Sequence, residues 1–235
     1  MPKPYEWPNS EALINDLGKH KRNLAKCFQD RESSLETIIL KSVEGNTFRA
    51  FHNMHPKPSV VFREWAFKKL SSHKTIALMK NVSSTQDYEK WLEGFSSSFY
   101  RHWKRKMGEC IPYGPSRKLP DLLMKRVVLW DIFTEYQRNR LINYLHIPLD
   151  RYSLLAIRNC IQEFPHAEEI GKIPKTATMK SIYYEAQYNQ VQFVMRTIAK
   201  RAEVPPIYID VIAWDRSHWW ERLLRFLPIL IMWFQ

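Results

Sequence analysis

An all-α fold is what the sequence predicts, and three observations carry it. Glycine is scarce, 6 residues in 235, too few for a hairpin-rich β architecture or for glycine-rich nucleotide loops. Apolar residues recur every three or four positions along most segments, the spacing of an amphipathic helix. The chain is 45% hydrophobic and 14% aromatic, which supplies a large core and excludes a disordered class. Strand signals are few, and there is no internal repeat or low-complexity tract.

The elements follow in order. "SEALINDLGKHKRNLAKCFQ" opens with an Asn/Ser cap and an acid in its first turn, then places Leu13, Leu17, Leu24 and Phe28 at helical spacing. "SSLETIILKSVE" predicts a second helix. "SVVFREWAFKKLSS" sets Val61, Trp65 and Leu70 near one face. "STQDYEKWLEGFSSSFYRHWKRK" starts with a Ser/Thr cap and runs through Tyr88, Leu92, Phe95 and Phe99. After "CIPYGPSRK", the apolar run "LPDLLMKRVVLWDIFTEY" predicts a helix with Pro120 in its first turn, where proline is tolerated. One helix is expected after Asp150 and another from "KTATMKSIYYEAQYNQVQFVMRTIAKRA". "PPIYIDVIAWDRSHWWERLLRF" closes the series, its proline pair suited to a helix start. The chain reads as one bundle-like unit over residues 1–235, with helical lobes at 1–110 and 111–235 and a cleft between them.

Charge narrows the function. Lys and Arg outnumber Asp and Glu by 36 to 24, a formal +12. Self-repulsion of that size opposes compaction, so it answers a polyanion: nucleic acid first, an anionic membrane surface second. "KHKRNLAK" contributes Lys19, Lys21 and Arg22; "RHWKRKMGE" contributes Arg101, Lys104, Arg105 and Lys106; Arg117 adds to them. Each cation set on a phosphate adds salt-dependent affinity. An aromatic among them, such as Trp103, could stack on an exposed base, worth about 1–3 kcal/mol per base. The plain alternative is a solvated helix face.

Cys27, Cys110 and Cys160 are odd in number, far apart and without a C-x-x-C pair, so no zinc or iron–sulfur set is visible. A reducing intracellular setting suits them. "MPKPYEWPNS" has no apolar signal core. "LLRFLPILIMWFQ" is apolar but interrupted by Pro228, and shorter than the roughly 20 residues a bilayer span takes. It is read as a buried terminal segment. The expectation is a cytoplasmic monomer that uses no cofactor, avoids the membrane and takes a nucleic acid as its partner.

Two constellations could carry chemistry. Lys118, with Lys125 close by, and the lone acid Asp150 form the first. An amine in an apolar surround can lose its proton and attack an electrophilic carbon, and a carboxylate can assist it. The alternative makes Lys118 a phosphate contact and Asp150 a helix N-cap. Asp210 and Trp214 form the second; four residues apart, they share a helix face. A carboxylate and an indole there could bond to and stack on one planar ligand, or be a surface acid beside a core tryptophan.

Taken in order, Lys118 and Lys125 seven apart in "KLPDLLMK", "IPLD" ending at Asp150, and Asp210-x-x-x-Trp214 resemble the helix-hairpin-helix DNA glycosylase superfamily, nearest its archaeal 8-oxoguanine branch. The likeness covers residues 114–216. It departs from the pattern in lacking the glycine-rich hairpin, leaving an irregular one, and in a longer interval between Asp150 and Asp210, around "EFPHAEEIGKIPKTAT". The resemblance implies that a DNA base is flipped from the stack, that Lys118 attacks C1′ with Asp150 assisting, and that Lys125 is the reserve nucleophile. It also implies that Asp210 and Trp214 bind the base, that a lyase step follows, and that no metal is needed. The excised base is 8-oxoguanine by this likeness, or a hypermodified phage base such as glucosylated hydroxymethylcytosine.

Overall fold

The computed structural model describes residues 2–43 and 47–218. Among them there are eleven α-helices and no strand. In chain order these are α1 (Ser10–Lys26), α2 (Leu35–Ser42), α3 (Pro58–Leu70), α4 (His73–Asn81), α5 (Thr85–Met107), α6 (Tyr113–Val127), α7 (Glu135–Tyr144), α8 (Arg151–Ile157), α9 (Ala167–Ile170), α10 (Glu185–Arg201) and α11 (Tyr208–Ser217). Short 3-10 turns lie at Arg49–Phe51, Ile161–Glu163 and Met179–Ser181. The all-α expectation is met.

Local chemistry sets most boundaries. The side chains of Asn9, Ser34 and Ser84 accept from the first-turn amides of α1, α2 and α5. α5 ends at Gly108, whose φ of 75° is the left-handed region where glycine is unstrained. The next helix, α6, starts earlier than its apolar run suggests. Pro120 is therefore its eighth residue rather than a first-turn one. That run is also not one helix. The backbone of Glu32 bonds to Leu129 and Asp131, pulling the chain away after Val128. A capping box at Thr134 and Gln137 then starts α7. Likewise α10 begins only at Glu185, because Thr178 and Ser181 close a capping box around the preceding turn. Residues 219–235, including the apolar C-terminal run, lie outside the described residues.

One apolar core runs through the molecule, with Trp7, Phe62, Trp65, Phe99, Trp103 and Phe133 among its largest side chains. α2 and α5 both pack on α6, and α1 packs on α10 and α11. The N-terminal residues fasten α11 further. Arg216 pairs with Asp16, which also accepts from the indole Nε1 of Trp7, and Tyr5 N donates to Ser217 Oγ at 2.9 Å. α6 thus sits centrally, and its start is fixed by close approach. Gly114 N donates to Ile182 O at 3.0 Å, and a Cβ there would lie 1.9 Å from the Met179 carbonyl oxygen. Only glycine fits.

Candidate active site

Three helices bring the sequence-derived residues together. α6 carries Lys118 and Lys125, the start of α8 carries Asp150, and the first turn of α11 carries Asp210. α8 and α11 pack on each other. Lys118 Nζ donates to Asp150 Oδ2 at 3.3 Å, and Lys125 Nζ donates to Asp210 Oδ2 at 2.6 Å. The two pairs share one electrostatic field. Burial pushes the Asp210 carboxyl up, Lys125 opposes that shift, Asp150 adds to it and Lys118 offsets it. Two amines and two carboxyls therefore make a single cluster from positions spanning 93 residues of chain, 118 to 210.

Asp150 caps α8 with one carboxylate oxygen and meets Lys118 with the other. Oδ1 accepts from Tyr152 N at 2.8 Å and Ser153 N at 3.1 Å, and Ser153 Oγ accepts from Asp150 N, a reciprocal cap on α8. Oδ2 is left for Lys118. The cap fixes the rotamer that aims Oδ2. The lysine side chains differ in exposure, 12% for Lys118 against 26% for Lys125.

Beyond Asp210, the helical spacing continues outward. Trp214 is 48% exposed, and the His218 ring stacks on it with centroids 3.9 Å apart and an 18° interplanar angle. Tyr152, two residues past Asp150, packs against the same imidazole at 5.1 Å. Trp214, His218 and Tyr152 form an aromatic shelf bridging α11 to the start of α8. Sequence reading singled out Trp214 but missed His218 and Tyr152. The signal for His218 was present, since Asp210, Trp214 and His218 are successive four-residue steps.

The inner side of α6 differs. Arg117 does not serve as a phosphate contact: its side chain is buried, paired with Glu93, with the guanidinium 4.8 Å from the Tyr188 ring centroid. Tyr188 Oη donates to Asp121 Oδ2 at 2.8 Å and lies 2.8 Å from His146 Nδ1. Burial pushes the Asp121 carboxyl up to about 7, against the lowering influence of Arg117 and of the Tyr188 hydroxyl. Asp210 adds to the rise, so this inner network touches the outer cluster electrically. Burial also holds His146 well below the usual imidazole range, aided by Arg196 and Arg117. None of this network was visible in the sequence. A cavity of about 480 Å³ opens over it, lined by Glu93, Arg117, His146, Asn189, Phe193 and Arg196 among others, and not by the lysine–aspartate cluster.

The other basic residues divide. Lys19, Lys21 and Arg22 on α1, and Arg101 and Lys104 on α5, are exposed. Arg105 contacts His102 Nδ1 at 3.2 Å, and Lys106 pairs with Glu64 at 2.8 Å. Trp103 is fully buried against Phe51 and Phe99 and cannot stack on a base. Among the described residues no cluster of His, Cys, Asp or Glu could hold a metal ion, and no helix is long and apolar enough to cross a membrane. No family model, curated protein or solved structure matches the chain.

Proposed function

We propose that this chain is a DNA glycosylase with an accompanying abasic-site lyase activity. The observation that carries the reading is the 3.3 Å contact of a mostly buried amine, Lys118 Nζ, with one oxygen of a carboxylate whose other oxygen is fixed by a helix cap. An amine nucleophile must shed a proton before attack, and Asp150 Oδ2 is the neighbouring acceptor. The amine then forms a bond to C1′ of an extruded nucleotide as the glycosidic bond breaks, its electron pair leaving with the base. Asp150 passes the proton it took from Lys118 to the departing base and, again a carboxylate, faces the positive charge that builds on the sugar. Opening of the sugar ring gives a protonated Schiff base between Lys118 and C1′, and loss of a C2′ proton then expels the 3′ phosphate.

Lys118 is favoured over Lys125 as the nucleophile because Lys125 is held more tightly, at 2.6 Å from a buried carboxylate. In this reading Lys125 positions Asp210, which bonds to the base, and Trp214 offers its exposed face for stacking. Lys19, Lys21, Arg22, Arg101 and Lys104 steer the duplex to a cleft between residues 1–110 and 111–235. The substrate is DNA carrying 8-oxoguanine or a hypermodified base such as glucosylated hydroxymethylcytosine.

A second reading, a non-enzymatic helical DNA-binding protein, draws on the cap itself. Asp150 Oδ1 does cap the start of α8, and an exposed edge of Lys118 could meet a phosphate. Mass spectrometry of bases freed from oxidised, alkylated and phage-modified DNA separates the two. Base release that collapses in Asp150→Asn, with DNA binding kept, supports the enzyme. Salt-sensitive binding with no released base from any DNA supports the alternative.

A further inference from the structure

The segment between the short helix α9 and α10 has no part in the chemistry above, yet it is unusual in both charge and exposure. Residues 171–184, "GKIPKTATMKSIYY", contain three lysines and no acid, bounded by Glu169 and Glu185. Lys172, Lys175 and Lys180 are all exposed. The segment ends in adjacent tyrosines, Tyr183 at 72% and Tyr184 at 52% exposure. A single exposed aromatic is ordinary on a protein surface, whereas two together in an acid-free basic stretch are not accounted for by solvation.

The segment is also held firmly. The Thr178–Ser181 capping box closes its turn. The Gln187 side chain accepts from Tyr183 N at 2.9 Å and donates to Ile170 O at 3.0 Å, tying both ends to α10. Gly114 N bonds to Ile182 O, and the Met179 carbonyl fills the space where a Cβ of residue 114 would sit. The tyrosines are thus presented from a fixed loop seated on the start of α6. Lys118 lies four residues on, on the same helix face as Gly114 and about 6 Å along the axis.

We propose that residues 171–184 are a contact for unpaired DNA, with Tyr183 and Tyr184 stacking on bases and Lys172, Lys175 and Lys180 meeting the backbone. Charge complementarity and two open ring faces select this occupant: a single strand offers both phosphates and unstacked bases, and a paired duplex offers only the first. The proposal rests on the glycosylase reading for its substrate and adds a place beside α6 for an unpaired stretch of the same DNA.

The test is fluorescence anisotropy of the full chain with a labelled twelve-residue oligothymidylate and with a duplex of equal length. The joint change Tyr183→Ala and Tyr184→Ala weakens oligothymidylate binding about tenfold or more, since stacking contributes roughly 1–3 kcal/mol per base. Duplex binding changes much less. The paired change to Phe restores binding, and Tyr136→Ala, at an equally exposed but unrelated tyrosine, leaves it unaltered. Replacing the three lysines by Ala lowers the salt slope by about two, near 0.7 per phosphate contact on a single strand. The proposal is overturned if the double Ala variant binds oligothymidylate like the parent. It is equally overturned if that variant loses affinity for phosphatidylserine vesicles instead, which would assign the loop to a membrane surface. A tyrosine effect that persists when no DNA is cleaved at all would retire the glycosylase reading and leave this surface standing.

Discussion

Arg117 and Lys118 are neighbours in sequence and both basic, yet on α6 they meet different surroundings. Arg117 points inward to Glu93 and the Tyr188 ring, within a network that includes Asp121 and His146. Lys118 points to Asp150, in a cluster with Lys125 and Asp210 that ends at a half-exposed indole. The inner side is packed: Arg117 pairs with Glu93, Tyr188 bonds to Asp121, and the Tyr188 ring lies against the guanidinium. The outer side sets the Lys118 amine against one oxygen of Asp150, beside a second lysine–aspartate pair. A formal charge count treats the two residues alike; burial separates them.

The sharpest way to break this contrast is Lys118→Ala. If the outer cluster holds the nucleophile, the yield of borohydride-trapped covalent complex falls by on the order of 10³-fold or more, while Lys125→Ala retains most of it. Equal losses in both variants would dissolve the distinction between the amines. Next in size is Arg117→Ala, which removes a buried cation and its ring contact. Denaturant unfolding should show a loss of about 2–4 kcal/mol, with the salt slope of DNA binding unchanged. A slope lowered by about one, with stability intact, would return Arg117 to the phosphate-contact role.

Asp121 sharpens the same contrast through pH. Its folded-state carboxyl titrates near 7 because of burial, above the roughly 3.9 of an unfolded aspartate. The folded protein therefore holds that proton more tightly than the unfolded chain does. The stability it contributes is complete below about pH 4 and is lost as pH rises through about 7. Asp121→Asn should flatten this trend, so that thermal melts of variant and parent diverge between pH 5 and 8, with the variant gaining. Parallel curves would show that Asp121 is not the titrating group. Smallest in stability is the cap. Asp150→Ala should cost about 1 kcal/mol, whereas Asp150→Asn, whose amide oxygen can still accept from Tyr152 and Ser153, should cost less than about half of that. If Asp150 assists the amine, both variants should abolish base release, which divides the work of Oδ1 from that of Oδ2.

Much of the frame was legible because it depends on local signals. Helical spacing and caps located α1, α2, α3, α5 and α11 from the order of residues alone. α4 and α7 escaped notice because they carry few regularly spaced core residues, α4 burying Met79 alone, and α7 is polar on most of its length. The long run after Lys118 misled because its end is set by a distant partner, Glu32, rather than by a breaker within it. At the site, Lys118, Asp150, Asp210 and Trp214 could be marked by spacing, but which lysine meets which aspartate is a tertiary fact. So is the sorting of Trp103 and Arg117 into the interior: "RHWKRK" and "SRK" read as basic surface until the helices are packed. The inner network of Asp121, Tyr188 and His146 joins three elements at separations of 42 and 67 residues, and no local pattern announces it.

Peptide mapping by mass spectrometry after borohydride reduction, on DNA carrying the released base or the abasic site it leaves, reaches the centre of the account. A deoxyribose-derived adduct on the peptide bearing Lys118, absent in Asp150→Asn, is the outcome expected. An adduct confined to Lys125 or to surface lysines, or none on any substrate that the protein binds, would contradict it.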